Sequence, residues 1–225
     1  MQETGIEYLD FTYNYVKGKC PNTDCPVYWD CYMKRPPGSW AVKKNPTLRL
    51  ATKTLFEKFP DKPCKIGVGF NLELFHKKIP RGYIEAGLKE IRERGQRHTW
   101  IFLSKCPERY AEFDFPESCW LGVTVTGEEK DYTSKIMNMI NQKKGKNLLF
   151  ISMEPLLKRF WTVYLLDFNW WILGALTGSQ AKKYPVDREW IESLSFEAKL
   201  ANIPIFLKNN LAPIWGGKLI QEFPS

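Results

Sequence analysis

Lys65-Ile-Gly-Val-Gly-Phe70, then Pro80 to Arg94, then Thr99-Trp-Ile-Phe-Leu103 is the stretch whose reading decides the fold. The first piece predicts a strand with glycines at its end. The second carries Tyr83, Ile84, Leu88 and Ile91 at helical spacing, with Pro80 near its start and Gly95 as its stop. The third is an unbroken apolar run, as expected of a strand buried on both faces. Strand, amphipathic helix and buried strand make a βαβ unit, whose two strands run parallel.

The pattern continues downstream. Pro107 to Phe113 predicts a short helix and Cys119 to Val125 a strand. Glu128 to Lys143 predicts a helix through Ile136, Met139 and Ile140. Leu148 to Ser152 and Trp170 to Gly174 predict strands. Asp187 to Ala201 predicts a helix with Asp187 as its N-cap, and Ile203 to Leu207 the last strand. Upstream, Ile6 to Tyr13 predicts the first strand, while Thr47 to Phe59 is open between helix and extended chain. No Gly-rich phosphate fingerprint is present. The expectation is an α/β protein with mostly parallel strands in a full or partial (β/α) barrel, one domain over residues 1–225.

Barrels place their active-site residues on the loops after the strands. After the first strand comes Cys20-Pro-Asn-Thr-Asp-Cys25-Pro-Val-Tyr-Trp-Asp-Cys31-Tyr32, inside an irregular basic segment, residues 14–45. Its prolines exclude a helix or a central strand. Three thiolates in one loop can hold three irons of a cubane cluster and leave the fourth iron open. Structural zinc and a disulfide are the alternatives. The gaps are C-x4-C and C-x5-C, unlike the close pairs of zinc sites, and His76 and His98 are far along the sequence. Tyr28, Trp29 and Tyr32 are expected to pack around the cysteines, with stacking on bases as the other use. Cys119, at the head of an apolar run, is expected to be a core thiol.

Polar residues follow the other strands. They are Asn71 and Glu73 after the second, Ser104 and Lys105 after the third, and Thr124 and Thr126 after the fourth. Glu154 follows the fifth, Thr177, Ser179 and Gln180 the sixth, and Lys208 and Asn209 the seventh. A Glu straight after a buried strand is paired with a cation or binds a ligand.

A chain of 225 residues with a formal charge of +8 is large enough to fold without a metal or disulfide and favours polyanionic partners, nucleic acid first. Met1 to Asp10 carries three acids and no apolar core, so no secretory signal is expected there. No run approaches the roughly 18 apolar residues of a membrane span. A cytoplasmic protein with no membrane partner is expected, and disulfides are rare in that compartment.

The ordered motifs resemble a phage- and prophage-associated family of three-cysteine proteins of unknown function, a compact branch similar to the radical S-adenosylmethionine (radical-SAM) superfamily. The matching stretches are Ile6-Glu-Tyr8 with Thr12-Tyr-Asn14, the cysteine loop, Leu72-Glu-Leu-Phe-His76, Leu103-Ser-Lys-Cys-Pro-Glu-Arg109, Trp120 to Val125, Ile151-Ser-Met-Glu-Pro-Leu-Leu157 and Phe206-Leu-Lys208. The resemblance implies a [4Fe–4S] cluster on Cys20, Cys25 and Cys31, with S-adenosylmethionine on the open iron and an external electron donor. It implies a 5′-deoxyadenosyl radical that abstracts hydrogen from a substrate, taken here as nucleic acid or nucleotide-derived. It assigns Gly69, Asn71 and Glu73 to the methionine moiety and Thr124 and Thr126 to the ribose. It places Glu154 near the cofactor or substrate; Glu154, Lys105 and Lys208 are the candidate catalytic residues. The cysteine gaps are longer than the superfamily's commonest C-x3-C-x2-C. The rival expectation is a non-catalytic nucleic-acid-binding protein with a zinc or iron–sulfur structural site. A base-assisted hydrolase ranks last, since no His lies near a nucleophile in sequence.

Overall fold

The computed structural model describes residues 1–35, 38–127, 132–143, 147–160 and 165–225. The fold is mixed α/β, built on an eight-stranded, mostly parallel sheet. The chain divides into two compact units, Met1–Leu121 and Gly122–Ser225.

The first unit contains β1 (Gln2–Glu3), β2 (Phe11–Tyr13), β3 (Val16–Lys17), α1 (Gly38–Lys44), β4 (Arg49–Leu50), α2 (Thr52–Leu55), β5 (Lys65–Val68), α3 (Arg81–Arg94) and β6 (Thr99–Ser104). The deciding stretch folds as read. β2, β5 and β6 run parallel, with Tyr13 opposite Val68 and Val68 opposite Phe102. α3 starts after Pro80, and the Gly95 N–H closes it on the Ile91 carbonyl at 2.9 Å. Its buried face is Ile84, Gly87, Leu88 and Ile91, with Glu90 held by Arg94. Gly87 is there because α3 lies against Tyr15: a Cβ would stand 2.1 Å from the Tyr15 hydroxyl. Tyr13, Phe59 and Trp100 pack edge to face, their ring centres 4.9–5.7 Å apart.

The first strand is shorter than Ile6–Tyr13. Residues 7 and 8 turn, the Leu9 N–H bonds the Ile6 carbonyl at 3.0 Å, and only Phe11–Tyr13 pairs. Asp10 then locks the start of β5, exchanging two backbone-directed bonds with Lys65. Thr47–Phe59 holds both of the open alternatives, β4 and then α2. β4 pairs antiparallel with β3 in a separate two-stranded sheet, Val16 opposite Leu50 and Lys17 opposite Arg49. The predicted helix at Pro107–Phe113 is a 3-10 helix, Pro107–Glu112.

β7 (Cys119–Thr124) carries the boundary between the units. Cys119 is fully buried, and burial pushes its thiol pKa up to about 12, as befits a core thiol. The second unit continues with α4 (Tyr132–Lys143), β8 (Leu148–Met153), β9 (Trp170–Leu173), α5 (Arg188–Leu200), β10 (Ile205–Leu207) and α6 (Ala212–Trp215). The start of the helix expected from Glu128 lies outside the described residues. β8, β9 and β10 run parallel, and β9 and β10 are buried throughout. Asp187 caps α5 as expected, accepting the Glu189 N–H at 3.0 Å. The C-terminal segment lies along β10, where the Leu207 N–H reaches the Ile220 carbonyl at 2.7 Å. Among the described residues no helix is long and apolar enough to cross a membrane.

Candidate functional site

In the first unit the cysteine loop leaves β2 through β3 and passes beside the chain that follows β5. All six cysteines are free thiols. Cys20, Cys25 and Cys31 are each partly buried. The Cys20 sulfur accepts the Glu73 backbone N–H at 3.2 Å. Burial pushes the Cys20 thiol above its ordinary pKa, against the pull of the Glu73 and Asn22 backbone N–H groups. Burial likewise raises Cys25, opposed by the Lys105 ammonium and the Val27 N–H. Cys31 lies close enough to both for its charge to hinder their ionisation. Cys31 and Glu73 are thus charged neighbours of both Cys20 and Cys25.

Among the described residues no group of three or more His, Cys, Asp or Glu side chains is placed to hold a single metal ion. Thiolates of a cubane each bind a different iron and stand farther apart than the ligands of one zinc. The donor set fits a cluster on these grounds: three free, partly buried thiols, with backbone N–H groups directed at two of the sulfurs. Such bonds tune a cluster's potential.

Glu73 organises the floor of this site. It is 7% exposed. One carboxylate oxygen accepts the Ser104 hydroxyl at 2.5 Å and the Phe75 N–H at 3.3 Å; the other accepts the Lys105 N–H at 2.8 Å. A carboxylate has about four acceptor positions, so these donors leave room for one more. The Ser104 oxygen in turn accepts the Cys106 N–H at 2.8 Å. The parallel β5–β6 pair brings the ends of both strands to the same level, which lets Glu73 reach across to Ser104 and Lys105.

Gly69 adopts φ +73°, and a Cβ there would strike the Leu74 side chain at 2.8 Å, so the turn out of β5 requires glycine. Asn71 donates to the Val16 carbonyl at 3.0 Å, while its own side-chain oxygen is buried without a partner. The Asn14 side-chain oxygen, just after β2, is orphaned in the same way. His76, far along the sequence, has Glu73 and Asp24 of the cysteine loop as charged neighbours. Its Nδ1 accepts the Lys78 N–H at 3.2 Å, and Arg109 holds its carbonyl at 2.8 Å while pairing with Glu112. Burial first, then Lys78, keeps its imidazole below the ordinary pKa.

In the second unit Glu154 and Lys208 form an ion pair at 2.5 Å. Gly174 makes room for it, since a Cβ there would lie 3.1 Å from Glu154 Cγ and from Lys208 Cδ. Glu154, a Glu straight after a buried strand, thus has a cation beside it. Thr126 is fully buried, and the Thr124 hydroxyl is buried with no partner. The Ser152 hydroxyl near the end of β8 is orphaned too; Ser152 and Asn14 lie in the matching stretches Ile151–Leu157 and Thr12–Asn14, where neither was given a role. Thr177 and Ser179 are exposed.

Of the aromatics of the loop, Trp29 is 44% exposed, with its indole N–H on the Pro26 carbonyl at 2.8 Å. Lys34 sits 3.5 Å over the Tyr28 ring. The Tyr32 side chain lies outside the described residues.

A family model described as a protein of unknown function, DUF5131, matches residues 3–219. The chain belongs to the DUF5131 family. No curated protein and no solved structure matches it. The DUF5131 match spans the cysteine loop, the Glu73 network and the Glu154–Lys208 pair alike.

Proposed function

We propose that this DUF5131 member is a radical-SAM iron–sulfur enzyme acting on a nucleic acid or nucleotide-derived substrate, built as a full or partial (β/α) barrel. One observation carries the reading. Three free thiols from a single loop after the first parallel strand share one electrostatic neighbourhood, with a backbone N–H on the Cys20 sulfur. Cys20, Cys25 and Cys31 would hold the [4Fe–4S] cluster. Bound there with S-adenosylmethionine and reduced by an external donor, it supplies a 5′-deoxyadenosyl radical.

The chain's own residues bind and orient. Gly69 shapes the turn, and the orphaned Asn71 oxygen and the remaining acceptor position on Glu73 suit an ammonium group such as that of methionine. Lys105 lowers the cost of ionising Cys25. The resemblance assigns Thr124 and Thr126 to the ribose; the unpartnered Thr124 hydroxyl favours a ligand there. It places Glu154 near the cofactor or substrate, where Glu154 pairs with Lys208 at low solvent exposure.

Anaerobic isolation and reconstitution should yield a brown protein containing iron and sulfide. It should convert S-adenosylmethionine to methionine and 5′-deoxyadenosine when reduced. Cys20→Ser, Cys25→Ser and Cys31→Ser should each abolish that conversion, with Cys64→Ser as the active control. A colourless zinc protein that never cleaves S-adenosylmethionine would sink the proposal.

The exposed Trp29 favours a second reading, a nucleic-acid-binding protein with a structural metal. Oligonucleotide binding by the zinc-loaded chain, without cofactor cleavage at any reductant level, would select it.

A further inference from the structure

The chain just past the third cysteine is one-sided in charge. From Cys31 to Phe56 the sequence carries Lys34, Arg35, Lys43, Lys44, Arg49 and Lys53 and no acid. Among its described side chains only Leu55 is buried. α1 buries none of its residues, holds Trp40 65% exposed, and ends in Lys43 and Lys44. The β3–β4 pairing sets Lys17 directly opposite Arg49. Like charges across a strand pair repel, and a polyanion on that face relieves the repulsion.

We infer that this surface docks a single-stranded nucleic acid beside the cysteine loop, its phosphates on Lys43, Lys44 and Arg49 and its bases on Trp40 and Trp29. The inference rests on the substrate class proposed above and names the part of the molecule that meets it. Cations supply affinity without reading sequence, whereas exposed indoles offer stacking faces that only unpaired bases can use. α1 has seven residues and Trp40, Ala41 and Val42 as its apolar set, too little for a membrane-surface helix.

The test is fluorescence anisotropy of a labelled mixed-sequence oligonucleotide with the full chain, without and with cluster, across a salt series. Binding of the single strand should exceed that of the matching duplex. Trp40→Ala should weaken it roughly tenfold, and Trp40→Phe should restore part of the loss. Lys43→Gln with Lys44→Gln should flatten the slope of log affinity against log salt by about 1.4. Phe196→Ala, an exposed aromatic elsewhere, should change nothing. Parent-like binding by the Trp40 and lysine variants would overturn the inference. So would equal affinity for duplex, or binding to phosphatidylserine vesicles with none to oligonucleotide. The readout needs no cluster, so it is separate from the enzyme reading. A chain that binds but never cleaves S-adenosylmethionine defeats the enzyme and leaves this surface, and the converse result does the opposite.

Discussion

Glu73 shows how much of a site hangs on one side chain. Its carboxylate satisfies a hydroxyl and two backbone N–H groups, and its own N–H reaches the Cys20 sulfur. Glu73→Ala should lower unfolding stability by about 1–3 kcal/mol, because buried donors lose their acceptor. Glu73→Gln should cost less, since one oxygen remains. Urea titration checks both, with a shifted midpoint at unchanged slope as the expected result. The cysteines were legible as residue types in a proline-bearing loop. The partners of Glu73 were not, because Ser104 and Lys105 lie 31 and 32 residues further on. His76 was set aside for its distance from the loop, yet Asp24 and Glu73 are its charged neighbours. Fold topology, which no local spacing records, decides such meetings.

At the scale of elements, α3 and the turn after it offer two tests. Gly87→Ala should destabilise by about 1–3 kcal/mol through overpacking against Tyr15. The Tyr15 hydroxyl is buried with no partner, so Tyr15→Phe should be neutral or stabilising and should rescue part of the Gly87→Ala loss. Thermal melts of the four-member cycle measure the coupling. His98, in the turn between α3 and β6, is 2% exposed, and neither ring nitrogen has a partner. Burial first, then Arg97, holds its pKa below the ordinary value. The unfolded chain takes up that proton near about pH 6.5 and the folded chain resists it. The stability contributed by neutral His98 is therefore full above that pH and falls as the pH drops toward the lower folded value. His98→Phe, which keeps a ring against Phe59 and Trp100, should flatten this acid limb in melting temperature against pH. The longer elements were legible because apolar period and caps act locally: Pro80 and Gly95 bracket α3, and Asp187 opens α5. β1, β3 and β4 were not, since two residues carry no period.

At the scale of the whole molecule, the apolar runs conveyed a mostly parallel sheet, whereas closure into a barrel depends on twist and stagger that no run encodes. Among the described residues, the buried apolar core of both units takes no side chain from the cysteine loop. Replacing Cys20, Cys25 and Cys31 together by Ser should therefore leave the far-ultraviolet circular dichroism and the melting temperature of the metal-free chain close to parent values. A metal-dependent fold would instead collapse, as zinc fingers do on chelation.

The β3–β4 pair has one more implication. It joins the chain before the cysteine loop to the chain after the basic segment, and the Lys19 N–H to Pro46 and Ala51 N–H to Tyr15 bonds tighten the same neck. The chain between Lys19 and Pro46 is thus a loop closed at its base. Changes of length in the stretch beyond Cys31 would leave the strands at that base with their partners. New specificities could accordingly arise by rewriting that stretch alone.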